Sequence, residues 1–135
     1  MKQIISHEPN LGEVYKRNRR CILLDTSFIL TCIKNKIDFF EHLKLDGFAI
    51  LIPKQVMKEL EGISKEKSEA KLALKLIEKN KPKIVESQGR NTDNAIINYA
   101  KKNPEIIVAT LDKEIQSKIR NKKLIIKKNK RMEII

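Results

Sequence analysis

The sequence predicts an α/β fold of three layers, α/β/α, with a central, mostly parallel sheet flanked by helices. Three observations predict it. Short apolar runs of strand length alternate with longer segments of helical periodicity, a repeated βα order. The chain has 135 residues, 41% of them hydrophobic, which is the size of one domain with a real core. No internal repeat or low-complexity segment competes with this reading.

The elements follow in order. "CILL" from Cys21 is a strand, and "TSFILTCIKN" with "DFFEHLKL" reads as helix. A second apolar run, "FAILI", follows Gly47. Pro53 suits the first turn of the next helix, where its missing amide proton is no loss; Val56, Met57 and Leu60 give that helix an apolar face, and Gly62 is placed to end it. In "KEKSEAKLALKLIEKN", Ala70, Ala73, Leu74 and Ile77 recur on one stripe with lysines outside. A short strand is expected near "KIVES". After the turn-like "QGRN", Asn91 or Thr92 caps a helix with Ile96, Ile97 and Ala100 on its inner face, ending near "KKNP". "IIVAT" is a buried strand, "DKEIQSKIRN" a helix with Ile115 and Ile119 inward, "KLIIKK" a further strand and "MEII" a short extended piece. Regular periodicity begins only at Cys21, so residues 1–20, with Pro9, Gly12 and the basic "YKRNRR", are read as an N-terminal extension and 21–135 as the domain.

Charge narrows the partners. The formal net charge is +12, with 29 Lys and Arg, so a polyanion is the natural partner. The densest cluster is Lys122, Lys123, Lys127, Lys128, Lys130 and Arg131. Aromatic residues make up only 4%, which argues against a base-stacking platform and for contact with phosphates. Cys21 and Cys32 are the only cysteines, and a buried thiol at the start of an apolar run is ordinary, so a reducing, cytoplasmic compartment fits. The N-terminus offers no signal-peptide core, and no apolar run approaches the ~20 residues of a membrane helix. His7 and His42 have no metal-ligand spacing.

Four acids stand out by position. In doubly wound sheets the ligand crevice lies beyond the carboxyl ends of the strands, where the strand order reverses. Asp25 directly follows "CILL", Asp112 lies just after "IIVAT", Asp93 falls in a first helical turn, and Glu59 is on the helix after "FAILIP". Each alone has an ordinary explanation as a helix cap, a first-turn acid or a solvated carboxylate. Four from separate elements at one edge would repel one another unless a cation neutralised them, and oxygen ligands suit Mg²⁺ or Mn²⁺.

These residues resemble the PIN-domain nucleases. The family's contexts are matched, in order, by "LLDTS" at Asp25, "VMKEL" at Glu59, "TDNAI" at Asp93 and "ATLD" at Asp112, over about residues 21–130. The "VMKELEGIS" helix followed by "AKLALKLI" looks most like archaeal members related to ribosomal-RNA processing PIN proteins. There are departures. Ser27 stands where many relatives have Asn, Asn94 where ribosomal-type members often carry a second Asp, and Leu111 where Asn is frequent. The resemblance implies a PIN-like fold and a metal-dependent endoribonuclease, with Asp25, Asp93, Asp112 and Glu59 holding Mg²⁺ or Mn²⁺ as the catalytic set. It implies that Thr26, Ser27, Thr110 and Asn94 support the carboxylates. Implied partners are RNA, a second copy in a homodimer, and either an antitoxin or ribosome-assembly factors. The alternatives to a processing enzyme are a toxin-type PIN ribonuclease and a catalytically weak RNA-binding PIN module.

Overall fold

The computed structural model describes residues 20–135. The extension assigned to residues 1–20, His7 included, lies outside the described residues apart from Arg20. The chain runs β1 (Cys21–Leu24), α1 (Thr26–Lys34), α2 (Phe39–Leu45), β2 (Ala49–Pro53), α3 (Lys54–Ile63), α4 (Ser68–Asn80), β3 (Lys83–Val85), α5 (Thr92–Lys102), β4 (Ile107–Ala109), α6 (Lys113–Lys118), β5 (Lys123–Ile126) and β6 (Met132–Ile134). The strands form one six-stranded sheet in the order β3-β2-β1-β4-β5-β6. All pairings are parallel except β5 with β6, which is antiparallel.

The central strands show why the apolar runs do not alternate. Ile22, Leu23 and Leu24 are each 0% exposed, because helices cover both faces of a parallel sheet. Each such side chain contributes roughly 1.5–3 kcal/mol of burial. α4 packs on α1 and α3 through its buried Ala70 and Ala73, small residues that let the helices approach. α5 packs against α6. The right-handed crossover rule assigns the helices between β1, β2 and β3 to one face and those that follow β3 and β4 to the other, and α3 also touches α5.

The strand order reverses at β1. From β1 the chain steps outward to β2 and β3, then returns through α5 to place β4 on the other side of β1. The C-terminal ends of β1 and β4 therefore flank the topological switch point, where a ligand crevice is expected.

Three boundaries differ from the sequence reading. Pro53 closes β2 and occupies the cap position of α3, so the helix starts one residue later, at Lys54. The fixed φ of proline, here −64°, serves an extended residue as well as a helical one. Gly62 does not end α3. The helix runs to Ile63, and the Ser64 amide donates to the Leu60 carbonyl at 2.8 Å. α6 stops at Lys118, and Ile119 is extended, at φ −126° and ψ 154°, yet still buried. The chain must turn there to bring Asn121 beneath the end of α5. Its Nδ2 donates to the carbonyls of Ala100, Asn103 and Ile106 at 3.0–3.2 Å. Leu74 and Ile97 are half-buried and pack at the margin of the core.

Candidate active site

The loops after β1 and β4 and the helices α3 and α5 enclose a cleft of about 510 Å³ at the switch point, and Asp25, Glu59, Asp93 and Asp112 all line it. The acids span a gradient of burial. Asp25 is 4% exposed, Asp112 half-buried, and Asp93 and Glu59 stand exposed at the rim.

Asp25 is locked from both sides. Its amide donates to the Ala109 carbonyl at 3.0 Å, continuing the β1–β4 pairing by one step. Oδ1 accepts from the Thr26 amide at 2.7 Å, which caps α1. Oδ2 accepts from Thr110 Oγ1 at 2.7 Å and from Ser27 Oγ at 3.3 Å. Burial nonetheless raises its pKa above 3.8: the hydrogen bonds from Thr110, Thr26 and Ser27 oppose the rise, and the charge of Asp93 adds to it. Thr110 is itself fully buried, and its oxygen also accepts from the Asp112 amide at 3.1 Å. One hydroxyl thus sets the spacing between two acids. Gln116 steadies the same loop, donating from Nε2 to the Thr110 carbonyl at 2.8 Å.

Asp112 caps α6, with Oδ1 accepting from the amides of Glu114 at 2.8 Å and Ile115 at 3.3 Å. Among the described residues its Oδ2 has no hydrogen-bond partner, and neither carboxylate oxygen of Asp93 or Glu59 has one. Asp93 sits in the first turn of α5, which Asn91 caps by accepting from the Asn94 amide at 2.9 Å. Its pKa is also raised, by burial first and then by the charges of Asp112, Glu59 and Glu114; Lys118 opposes the rise. The four carboxylates therefore feel one another electrostatically. Among the described residues none forms an ion pair with Lys or Arg.

The supporting residues divide differently. Ser27 and Thr110 bond the Asp25 carboxylate through their hydroxyls. Thr26 reaches it only through its backbone amide, and among the described residues its buried Oγ1 has no partner. Asn94 is exposed and lies outside the cleft lining. Glu114 escaped the sequence reading. Its faint signal is the i, i+4 spacing to Lys118, realised as a 3.2 Å ion pair on α6. Leu30, Thr31 and Leu111 complete the wall.

The basic cluster splits in two. β5 runs parallel to β4, so Lys127, Lys128, Lys130 and Arg131, at the turn into β6, lie at the same sheet edge as the acids. Lys122 and Lys123 begin β5 at the opposite edge, where Lys123 Nζ donates to the Ile119 carbonyl.

The donors suit a hard divalent cation: all are oxygens, and several carboxylate oxygens are free of protein partners. Among the described residues no three acids, histidines or cysteines close around a single ion. That is compatible with Mg²⁺, which keeps several waters and is held through one or two carboxylates.

The chain is thus a doubly wound α/β domain with four carboxylates lining one cleft at its switch point. Residues 22–130 match the family model described as "PIN like domain". The chain belongs to the PIN-like domain family. It is similar to ribonuclease VapC4 of Methanocaldococcus jannaschii, 38% identical over 106 residues that cover 73% of this chain and 81% of that protein. It is similar too to ribonuclease VapC9 of Archaeoglobus fulgidus, 35% identical over 109 residues, 76% of this chain and 78% of that protein. In three dimensions it resembles the PIN domain endonuclease Utp24, with a TM-score of 0.70 and 26% identity over 85% of this chain and 92% of the other. VapBC2 from Rickettsia felis, solved bound to a DNA fragment from its promoter, shares the fold at TM-score 0.57 and 16% identity, covering 77% of this chain and 98% of the other.

Proposed function

We propose that the chain is a divalent-metal-dependent endoribonuclease that hydrolyses RNA phosphodiester bonds. The carrying observation is one cleft lined by four acids that have no cationic partner among the described residues. A Mg²⁺ or Mn²⁺ ion held there, with Asp25 and Asp112 as leading ligands and Asp93 assisting, supplies water activation and phosphate polarisation. Glu59 orients the attacking water and accepts its proton. Thr110 and Ser27 keep the Asp25 carboxylate in one rotamer. The turn Lys127–Arg131 attracts the phosphate backbone toward the acidic cleft. Family membership and the ribonuclease relatives support this reading. The test is incubation of pure protein with structured and single-stranded RNA in Mn²⁺, in Mg²⁺ and in chelator. Metal-dependent cuts leaving 5′-phosphates support it, and equal cutting in chelator refutes it.

Two settings suit this chemistry. A role in ribosomal-RNA processing rests on the resemblance carried by "VMKELEGIS" and "AKLALKLI", with a toxin-type role as its alternative, and likeness to an endonuclease and to ribonucleases supports RNA cleavage in either setting. The toxin setting predicts an adjacent antitoxin gene and growth arrest on expression.

A further inference from the structure

At the opposite edge of the sheet, where β1 and β2 begin and α5 ends, lies a second cavity of about 530 Å³. Small-molecule sites of about 300–1,000 Å³ typically have an apolar floor and a few placed polar groups. Here Ile50, Leu51 and Ile106 form such a floor with Phe48, whose ring lies 4.9 Å from the Arg20 guanidinium, and Tyr99 adds a second aromatic ring. The Tyr99 phenol has its pKa raised by burial and by neighbouring Cys21 and Glu105, so it remains a proton donor.

Two connections supply the polar walls. From α4 into β3 come Lys81 and Lys83, separated by Pro82, and Lys44 joins them by donating to Asn80 Oδ1 at 3.0 Å. Lys81 holds a left-handed backbone, φ 50°, at the C-terminus of α4, a position where glycine would be unstrained. Lys81 lines the cavity from this position. From α5 into β4 come Asn103 and Glu105. Asn103 Nδ2 is engaged with the Tyr99 carbonyl at 2.9 Å, leaving its oxygen as an acceptor, and Glu105 lines the same cavity.

We propose that this cavity binds a free nucleoside monophosphate whose base carries an exocyclic amine. The base covers the floor beside Phe48 and Tyr99, its amine donates to Asn103 and Glu105, and its phosphate meets Lys81 and Lys83. Inorganic phosphate would leave the apolar floor uncovered. A fatty acid would leave the two acceptors unpaired. The site is remote from the acidic cleft and does not rest on the nuclease reading.

Isothermal titration of the full chain in EDTA, with 5′-AMP as probe, tests this. Saturable binding is expected, weakened about tenfold or more for adenosine, for uridine monophosphate and for inorganic phosphate. Lys81→Gly removes the ammonium and suits the backbone, so it should melt no lower than wild type while losing about tenfold in AMP affinity. Asp25→Asn should bind AMP as wild type does. Absence of saturation, inorganic phosphate binding as tightly as AMP, undiminished affinity in Lys81→Gly, or binding lost in Asp25→Asn would each overturn the proposal.

Discussion

Asp25 carries two jobs at once. One carboxylate oxygen caps α1 and the other is held by Thr110 and Ser27, all in a nearly sealed position. Asn caps about as well as Asp, so Asp25→Asn separates the roles. RNA cleavage should fall by orders of magnitude, while the melting temperature in chelator should hold or rise as mutual repulsion with Asp93 is relieved. Added Mn²⁺ should raise the melting temperature of wild type more than that of the mutant. Full cleavage by the mutant would reduce Asp25 to a cap.

Cys32 shows what burial does without a site. It is 0% exposed, and burial pushes its thiol from 9.0 up to about 12. Unfolding exposes a thiol that ionises near its ordinary value, so the folded state keeps the proton longer. The associated stability is complete below pH 9.0 and is lost as pH rises toward about 12. Denaturant melts from pH 8 upward should show Cys32→Ala losing less stability with rising pH than wild type. Parallel curves would remove Cys32 as the cause.

Among elements, the loop between β3 and α5 is the most exacting. Gly89 has φ 152°, and a Cβ there would lie 2.6 Å from the Ala95 nitrogen and 2.9 Å from two atoms of Asn94. The backbone at that contact is the first turn of α5, the turn that carries Asp93. Gly89→Ala must push the turn or the loop aside, at a cost of about 1–3 kcal/mol, and should reduce cleavage more than the stability loss explains. Urea titration beside a cleavage assay checks this, and unchanged activity at reduced stability would uncouple the loop from the site. "QGRN" was legible as a turn, but not the reason for its glycine, because that reason is a contact with residues five and six positions later. The α6 boundary was hidden in the same way. Ile115 and Ile119 keep helical spacing, whereas the chain is redirected by Asn121, whose three acceptors come from α5 and from the link that follows it. The four acids were legible because each sits at a fixed offset from an apolar run or a cap. Glu114 was not, since an exposed first-turn acid paired with Lys118 gives no sign in the sequence that its charge reaches Asp93.

Over the whole molecule, a net charge of +12 coexists with a cleft lined by four acids. Only part of the basic cluster shares the edge of the cleft. The sequence grouped Lys122 and Lys123 with Lys127, Lys128, Lys130 and Arg131, but Lys123 opens β5 and the other four follow its end, so the strand puts them at opposite edges of the sheet. Replacing Lys127, Lys128 and Lys130 by alanine should flatten the salt dependence of RNA affinity by roughly two to three units of slope. Replacing Lys122 and Lys123 should leave that slope unchanged. Filter binding across a salt series measures both, and equal slopes for the two variants would dissolve the distinction. The strand order, too, lay beyond the sequence, since β1 meets β4 only after some eighty residues of intervening chain.

The β1–β4 pairing has a consequence for synthesis. As the chain leaves the ribosome, Asp25 emerges early without its Thr110 hydroxyl and without the Ala109 carbonyl that fixes its backbone. Glu59 and Asp93 follow, and Asp112 appears only when most of the chain has been made. The four acids of the proposed site are therefore translated as a scattered set. The proposed site cannot assemble until β4 pairs with β1, late in synthesis.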